Sequence, residues 1–140
     1  MKVFLDTNVW LSATVFSGLC EAILVECHQR QWLLTTPLVQ QEAHAVLRRK
    51  FPHVPNAVAL FDAIWVAADC APDVAEPSDD NDARLVRAAQ EAGASVFVTG
   101  DRRVLAWGQQ GEMQILSPRD GWTHLFARDG SAEGFFGPRE

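Results

Sequence analysis

The sequence predicts an α/β fold with a central parallel sheet, and three observations carry that prediction. Short apolar runs of strand type alternate with longer stretches of helical periodicity. No tight hairpin signal joins one run to the next. Two of the runs, Val3-Phe4-Leu5 and Val96-Phe97-Val98, are apolar throughout, as strands buried on both faces are. With 140 residues, 48% of them apolar, the chain can bury enough surface to fold as one layered domain without a disulfide or metal staple. That domain is expected over residues 1–128, with residues 129–140 a loose Gly-rich tail.

Val3-Phe4-Leu5 reads as a strand because the Asp6-Thr7-Asn8 that follows it favours a turn or a helix cap. A helix is expected over residues 9–16, although β-branched residues weaken it. Residues 19–30 form a second helix, with Leu19, Ala22, Ile23, Leu24 and Val25 at helical spacing and Arg30 in the last turn. Residues 32–36 read as the next strand. Pro37 then suits the first turn of a helix capped by Thr36, running to about Arg49 and stopping before Pro52. The stretch 56–68 is apolar on nearly every face and is expected to be well buried. Pro72 and Pro77 make residues 70–78 a loop, enclosing a brief strand near Val74. A helix over 80–91 ends at Gly93, and residues 95–99 are a clear strand. Gly100-Asp101 turns into a short helix through Trp107. Residues 113–116 form a further strand, and Ser117-Pro118 opens a last short helix.

Twelve basic residues against eighteen acidic ones leave a net charge of −6, which argues against gripping nucleic acid through a broad basic face. An enzyme whose acids hold metal ions is not excluded, because there the cations meet the phosphates. The stretch 69–82 alone carries Asp69, Asp73, Glu76, Asp79, Asp80 and Asp82 with no Lys or Arg. The amino terminus is neither a signal peptide nor a membrane span, and no later apolar run is long enough to cross a bilayer. Cys20, Cys27 and Cys70 form no C-x-x-C pair and are read as free thiols, so a cytoplasmic, reduced protein with no membrane partner is expected.

In a parallel sheet ligands bind beyond the carboxyl ends of the strands, and two acids fall there: Asp6 and Asp101. Either one alone reads first as a helix cap. Glu42 lies three residues after Val39 and four before Val46, so it projects from the apolar face of its helix, where an unpaired carboxylate is costly. A salt bridge or a place at the stripe's edge would also account for it. Asp82 precedes Leu85 by three and Val86 by four, in the same relation to its helix, while the helix dipole explains at least one of Asp79, Asp80 and Asp82. Four carboxylates from separated segments are the hard oxygen donors that Mg²⁺ takes, and ions so held can activate a water against a phosphodiester.

Phe4-Leu5-Asp6-Thr7-Asn8-Val9, Thr36-Pro37 with Glu42 in the following helix, the stretch from Asp82 to Ala89, and Val98-Thr99-Gly100-Asp101 together resemble the PIN-domain family. These are metal-dependent ribonucleases, best known in their VapC-like form as toxins of bacterial toxin–antitoxin pairs. The resemblance spans residues 3 to about 118, where Leu116-Ser117-Pro118 looks like the family's closing strand and turn. It implies a three-layer α/β/α sandwich and a Mg²⁺ or Mn²⁺ site built by Asp6, Glu42, Asp82 and Asp101, where a metal-activated water attacks RNA. Thr7, Asn8 and Thr99 match positions that orient the acids or contact substrate. Asp82 is chosen over its neighbours because its spacing to Ala89 and Thr99 fits the family pattern, with Asp79 in reserve. Relatives often carry another acid two residues after the last aspartate. Here Arg102 and Arg103 follow Asp101, which counts against a fifth ligand and offers cations to RNA phosphates. The partners implied are an RNA substrate and a small antitoxin, with a homodimer as a further expectation.

Two other classes were weighed. Aspartate-based phosphoryl-transfer enzymes use a lysine after a later strand, but the only lysines are Lys2 and Lys50. A catalytically silent module of the same fold has no need of four aligned acids. His28, His44, His53 and His124 lack ligand spacing, and Arg48-Arg49-Lys50 reads as a solvated helix end rather than an RNA grip. Trp10, Phe61 and Trp65 read as core, with a dimer or antitoxin groove as the alternative; Phe135 and Phe136 could dock a partner or pack on themselves.

Overall fold

The two strands that lead into Asp6 and Asp101 lie side by side in the middle of one parallel sheet. The computed structural model describes residues 1–75 and 80–127. Along the chain run β1 (Val3–Leu5), α1 (Thr7–Val15), α2 (Leu19–Gln29), β2 (Leu33–Thr35), α3 (Pro37–Lys50), α4 (Ala57–Trp65) and β3 (Asp69–Cys70). They are followed by α5 (Asn81–Glu91), β4 (Val96–Val98), α6 (Arg102–Leu105), β5 (Gln114–Leu116) and α7 (Pro118–Phe126). The strands pair in the order β3-β2-β1-β4-β5, all parallel, and helices complete the α/β/α sandwich.

The sheet centre is built from the two runs that are apolar throughout. Val3 pairs with Val96, Phe4 with Phe97 and Leu5 with Val98, and all six side chains are fully buried. The Phe4 and Phe97 rings stack at 5.2 Å, nearly parallel. Burying each such side chain stabilises the fold by roughly 1.5–3 kcal/mol, so these short strands hold their position through packing more than through length. At the edge, β3 has two residues and both are exposed, a brief edge that offers little to further pairing.

The helix ends follow their caps. Asp80 caps α5, its Oδ1 accepting from the Asp82 and Ala83 amides at 3.0 and 3.3 Å. At the other end Gly93 takes a positive φ of 85°, and the Ala94 amide reaches back to the Ala89 carbonyl at 3.0 Å. Ser117 caps α7 through Asp120, with Pro118 in the first turn.

Three expectations change. Thr36 stands at the N-cap of α3 but makes no side-chain cap bond; the Leu38 amide is taken instead by Asp73 Oδ1 at 3.0 Å, from a loop 35 residues away. The strand expected near Val74 lies at Asp69–Cys70, where the chain can pair with Leu34 and Thr35. The stretch 56–68 is not well buried. Helix α4 packs against α1 and α3 through Ala57 and Phe61, while Leu60 and Val66 are 55% and 74% exposed. Apolarity all round does not bring burial all round, because an outer helix with neighbours on one side covers one face only.

Cys27 is fully buried and its thiol is pushed up to about 12 by burial, the behaviour of a core hydrophobe. No single helix among the described residues is long and apolar enough to cross a membrane. Asp79 and the stretch 129–140, with Phe135 and Phe136, lie outside the described residues.

Candidate active site

Strand β1 has β2 on one side and β4 on the other, so the chain leaves their carboxyl ends toward opposite halves of the sheet. A crevice opens at such a reversal, and Asp6 is the first residue beyond β1. Its amide continues the ladder to the Val98 carbonyl at 2.9 Å. Its side chain is 4% exposed, with Oδ1 accepting from the Thr7 amide and Oδ2 from the Thr99 hydroxyl, both at 2.7 Å.

Two more carboxylates come to the same hollow from other elements. Glu42, half-buried on α3, accepts from the Thr7 hydroxyl at 2.6 Å through Oε1 and from Asn81 Nδ2 at 3.0 Å through Oε2. Asp82 enters from the first turn of α5. The hollow encloses about 280 Å³ and is lined by Asp6, Thr7, Asn8, Glu42, Asp82 and Arg49, floored by Ala45 and Val46. Burial is the main reason the Asp6 carboxyl is raised to about 6; the Thr99 and Thr7 hydrogen bonds oppose it, and the charges of Asp82 and Glu42 add to it.

Asp6, Glu42, Asp82, Thr7 and Asn8 are thus brought together, and Thr99 stands fully buried behind Asp6. Asp101 is not among the residues that line the hollow. It caps α6, with Oδ1 accepting from the Arg103 amide at 2.8 Å, and its own amide donates to the Thr99 hydroxyl at 3.0 Å. It therefore meets the site through Thr99. Arg102 is exposed, and Arg103 is engaged with Asp80 and Asp82. Two residues on the site escaped the sequence reading. Arg49 lies seven positions after Glu42, a helical repeat that puts both on one face; it was counted only as part of the helix end. Asn81, the amide that holds Glu42, stood unremarked among the aspartates.

Three carboxylates and a hydroxyl are hard oxygen donors of the kind Mg²⁺ and Mn²⁺ prefer, and a cation would offset both the burial and the neighbouring charges that raise Asp6 to about 6. The donor set fits a divalent ion. As the side chains stand, no three ligating groups among the described residues are gathered closely enough to enclose one.

The Thr99 hydroxyl serves both strand-end acids, so Thr99→Val should cost about 2 kcal/mol of stability at pH 8, where Asp6 is ionised. It deprives a buried carboxylate of a donor and leaves the Asp101 amide without an acceptor. Urea unfolding checks this, with Thr99→Ser expected to restore most of the loss. An unchanged midpoint for the valine variant would show the hydroxyl to be idle.

A crevice at the switch point of a parallel α/β sheet is where such folds bind their ligands, and here it is lined by acids. A family model described as the PIN domain matches residues 2–103, and the chain belongs to the PIN-domain family. The family is one of nucleases, which as a class use divalent metals. Among solved structures, the crystal structure of PAE2754 from Pyrobaculum aerophilum superposes with a TM-score of 0.65 at 17% identity, over 91% of this chain and 90% of that one. That likeness is one of fold. No curated protein is significantly similar in sequence.

Proposed function

We propose that this chain is a Mg²⁺- or Mn²⁺-dependent endoribonuclease that hydrolyses RNA phosphodiesters. The observation that supports it most is the convergence of Asp6, Glu42 and Asp82 on one open hollow at the sheet's switch point. A divalent ion bound there supplies an activated water and neutralises the charge that develops on the phosphate.

The chain's own residues do the rest. Asp6, Glu42 and Asp82 hold the ion, while Thr7 and Thr99 orient Glu42 and Asp6 through their hydroxyls. Asp101 steadies Thr99 from behind. Arg49, exposed on the hollow, offers a positive charge to a backbone phosphate, and Asn8, exposed on the same hollow, offers an amide to the sugar or base. Arg102, exposed on α6, offers a further positive charge to RNA. Without its ion the acidic hollow repels RNA, which accounts for a nuclease of net charge −6.

We further propose that the chain acts in the cytoplasm as a toxin paired with a small antitoxin, and that it works as a homodimer. Expression of the chain alone should then arrest growth of a bacterial host, and co-expression of a cognate small antitoxin should relieve it.

The primary test is end-labelled RNA incubated with the purified chain and Mn²⁺, against EDTA. Cleavage only with the metal is expected; cleavage that survives EDTA removes the metal from the reading. Mn²⁺ should also raise the melting temperature at pH 7.5, because it binds the folded state. The gain should shrink as pH falls through about 6, where Asp6 takes up the proton that competes with the ion. Differential scanning fluorimetry across pH 5–8 reads this directly, and a pH-independent shift would take Asp6 out of the ligand set.

A further inference from the structure

We propose that Arg103 competes with the divalent cation for the Asp82 carboxylate, so that the affinity of the site is set by displacing a guanidinium. The proposal rests on the metal-dependent reading above and concerns what opposes the ion.

The geometry of the arginine is specific. Its Nη2 lies 2.8 Å from Asp82 Oδ2, on the acid that lines the hollow. The same nitrogen lies 3.0 Å from Asp80 Oδ1, and Nη1 lies 2.9 Å from Asp80 Oδ2, a two-pronged fork on the residue that caps α5. The guanidinium also sits over the Trp107 ring at 5.0 Å. Its backbone is anchored separately, by the amide bond to Asp101.

The three site acids are therefore held differently. Asp6 and Glu42 are bound by neutral donors, namely the Thr99 and Thr7 hydroxyls, the Thr7 amide and the Asn81 amide. Asp82 is bound by a full positive charge. A neutral donor tolerates an ion on the carboxylate's remaining lone pairs, whereas a guanidinium repels it. An ion that takes Asp82 must meet that repulsion or move the arginine. The exchange costs one hydrogen bond if Asp82 turns to the ion while the fork on Asp80 and the stacking on Trp107 keep the guanidinium in place, and more if the arginine itself swings out. The arginine head is half exposed, so its path outward is open.

The alternative is that Arg103 orients Asp82 for the ion, and the two roles predict opposite signs. Isothermal titration of Mn²⁺ into the full chain at pH 7.5, wild type against Arg103→Gln, separates them. Competition predicts a Kd about 2- to 5-fold tighter in the glutamine variant, the range expected for losing a partly exposed charge pair. Arg103→Lys, which keeps the charge and loses the fork, should fall between the two. Both variants alter a half-exposed side chain, and equal thermal melts without Mn²⁺ confirm that each is folded. An unchanged or weaker Kd in Arg103→Gln overturns the proposal. If neither wild type nor variant binds Mn²⁺, the metal reading itself fails and takes this one with it. Equal binding by both defeats only the role of Arg103.

Discussion

Asp6→Asn should abolish Mn²⁺-dependent RNA cleavage while making the protein more stable without metal. Loss of activity follows from removing the most buried of the three acids around the hollow, a residue 4% exposed and held from two sides. Changes to groups that merely support metal ligands cost roughly 10- to 100-fold, so loss of a ligand should exceed about 100-fold. The stability gain follows from the carboxyl's position. Its pKa is 3.8 in an unfolded chain and about 6 in the fold. Between those values the folded state binds the extra proton, so stability falls as pH rises from about 4 to 6, and the full cost is present above 6. The difference corresponds to about 3 kcal/mol at neutral pH. Asparagine keeps an oxygen for the Thr7 amide and carries no charge to bury. The variant should therefore melt about 5–10 °C above wild type in EDTA at pH 7.5, and lose that advantage near pH 4. RNA assays and calorimetry on one preparation give both readings. Full cleavage by the folded variant would remove Asp6 from the site, and an unchanged melt would mean its charge is compensated in solution.

Trp10→Ala should cost about 4 kcal/mol, the largest loss expected from one side chain in the fold. Trp10 is fully buried on α1, with its ring 5.2 Å from that of Phe61 on α4. It thus fixes an outer helix to the helix that begins at Asp6. Its indole nitrogen has no hydrogen-bond partner among the described residues. A phenylalanine would keep part of the ring contact and remove that unpaired donor, so Trp10→Phe should cost less than half as much as alanine. Urea unfolding of the two variants makes the comparison. Equal losses would place the value of Trp10 in its volume alone. Because α1 carries Thr7, which holds Glu42, the alanine variant should also weaken the Mn²⁺ stabilisation.

Much of the fold was readable because it depends on local pattern. The fully apolar runs at Val3–Leu5 and Val96–Val98 could only be central parallel strands, and they pair with one another at the middle of the sheet. Pro37, Ser117 and Gly93 mark helix ends by backbone chemistry that acts within a few residues. Errors arose where neighbours distant in sequence decided the outcome. Asp73 caps α3 from another loop, and β3 forms where β2 passes rather than where a β-former stands. The burial of α4 was overestimated because composition shows how apolar a helix is, not how many of its faces are covered.

The acids divide in the same way. Helical spacing alone put Glu42 and Asp82 on inward faces, and strand ends alone picked out Asp6 and Asp101. Those are consequences of periodicity and chain direction, which a sequence carries in full. Only the tertiary structure could show that Asp6, Glu42 and Asp82 share one hollow, while Asp101 bonds the Thr99 hydroxyl through its amide and caps α6. It also decided that Arg103 lies against Asp82 and that Arg49 and Asn81 belong to the site. Hydrogen bonds and ion pairs between separate segments form at about 3 Å, a length no spacing along the chain determines, and so the choice of partners falls to the packing of the helices around the sheet.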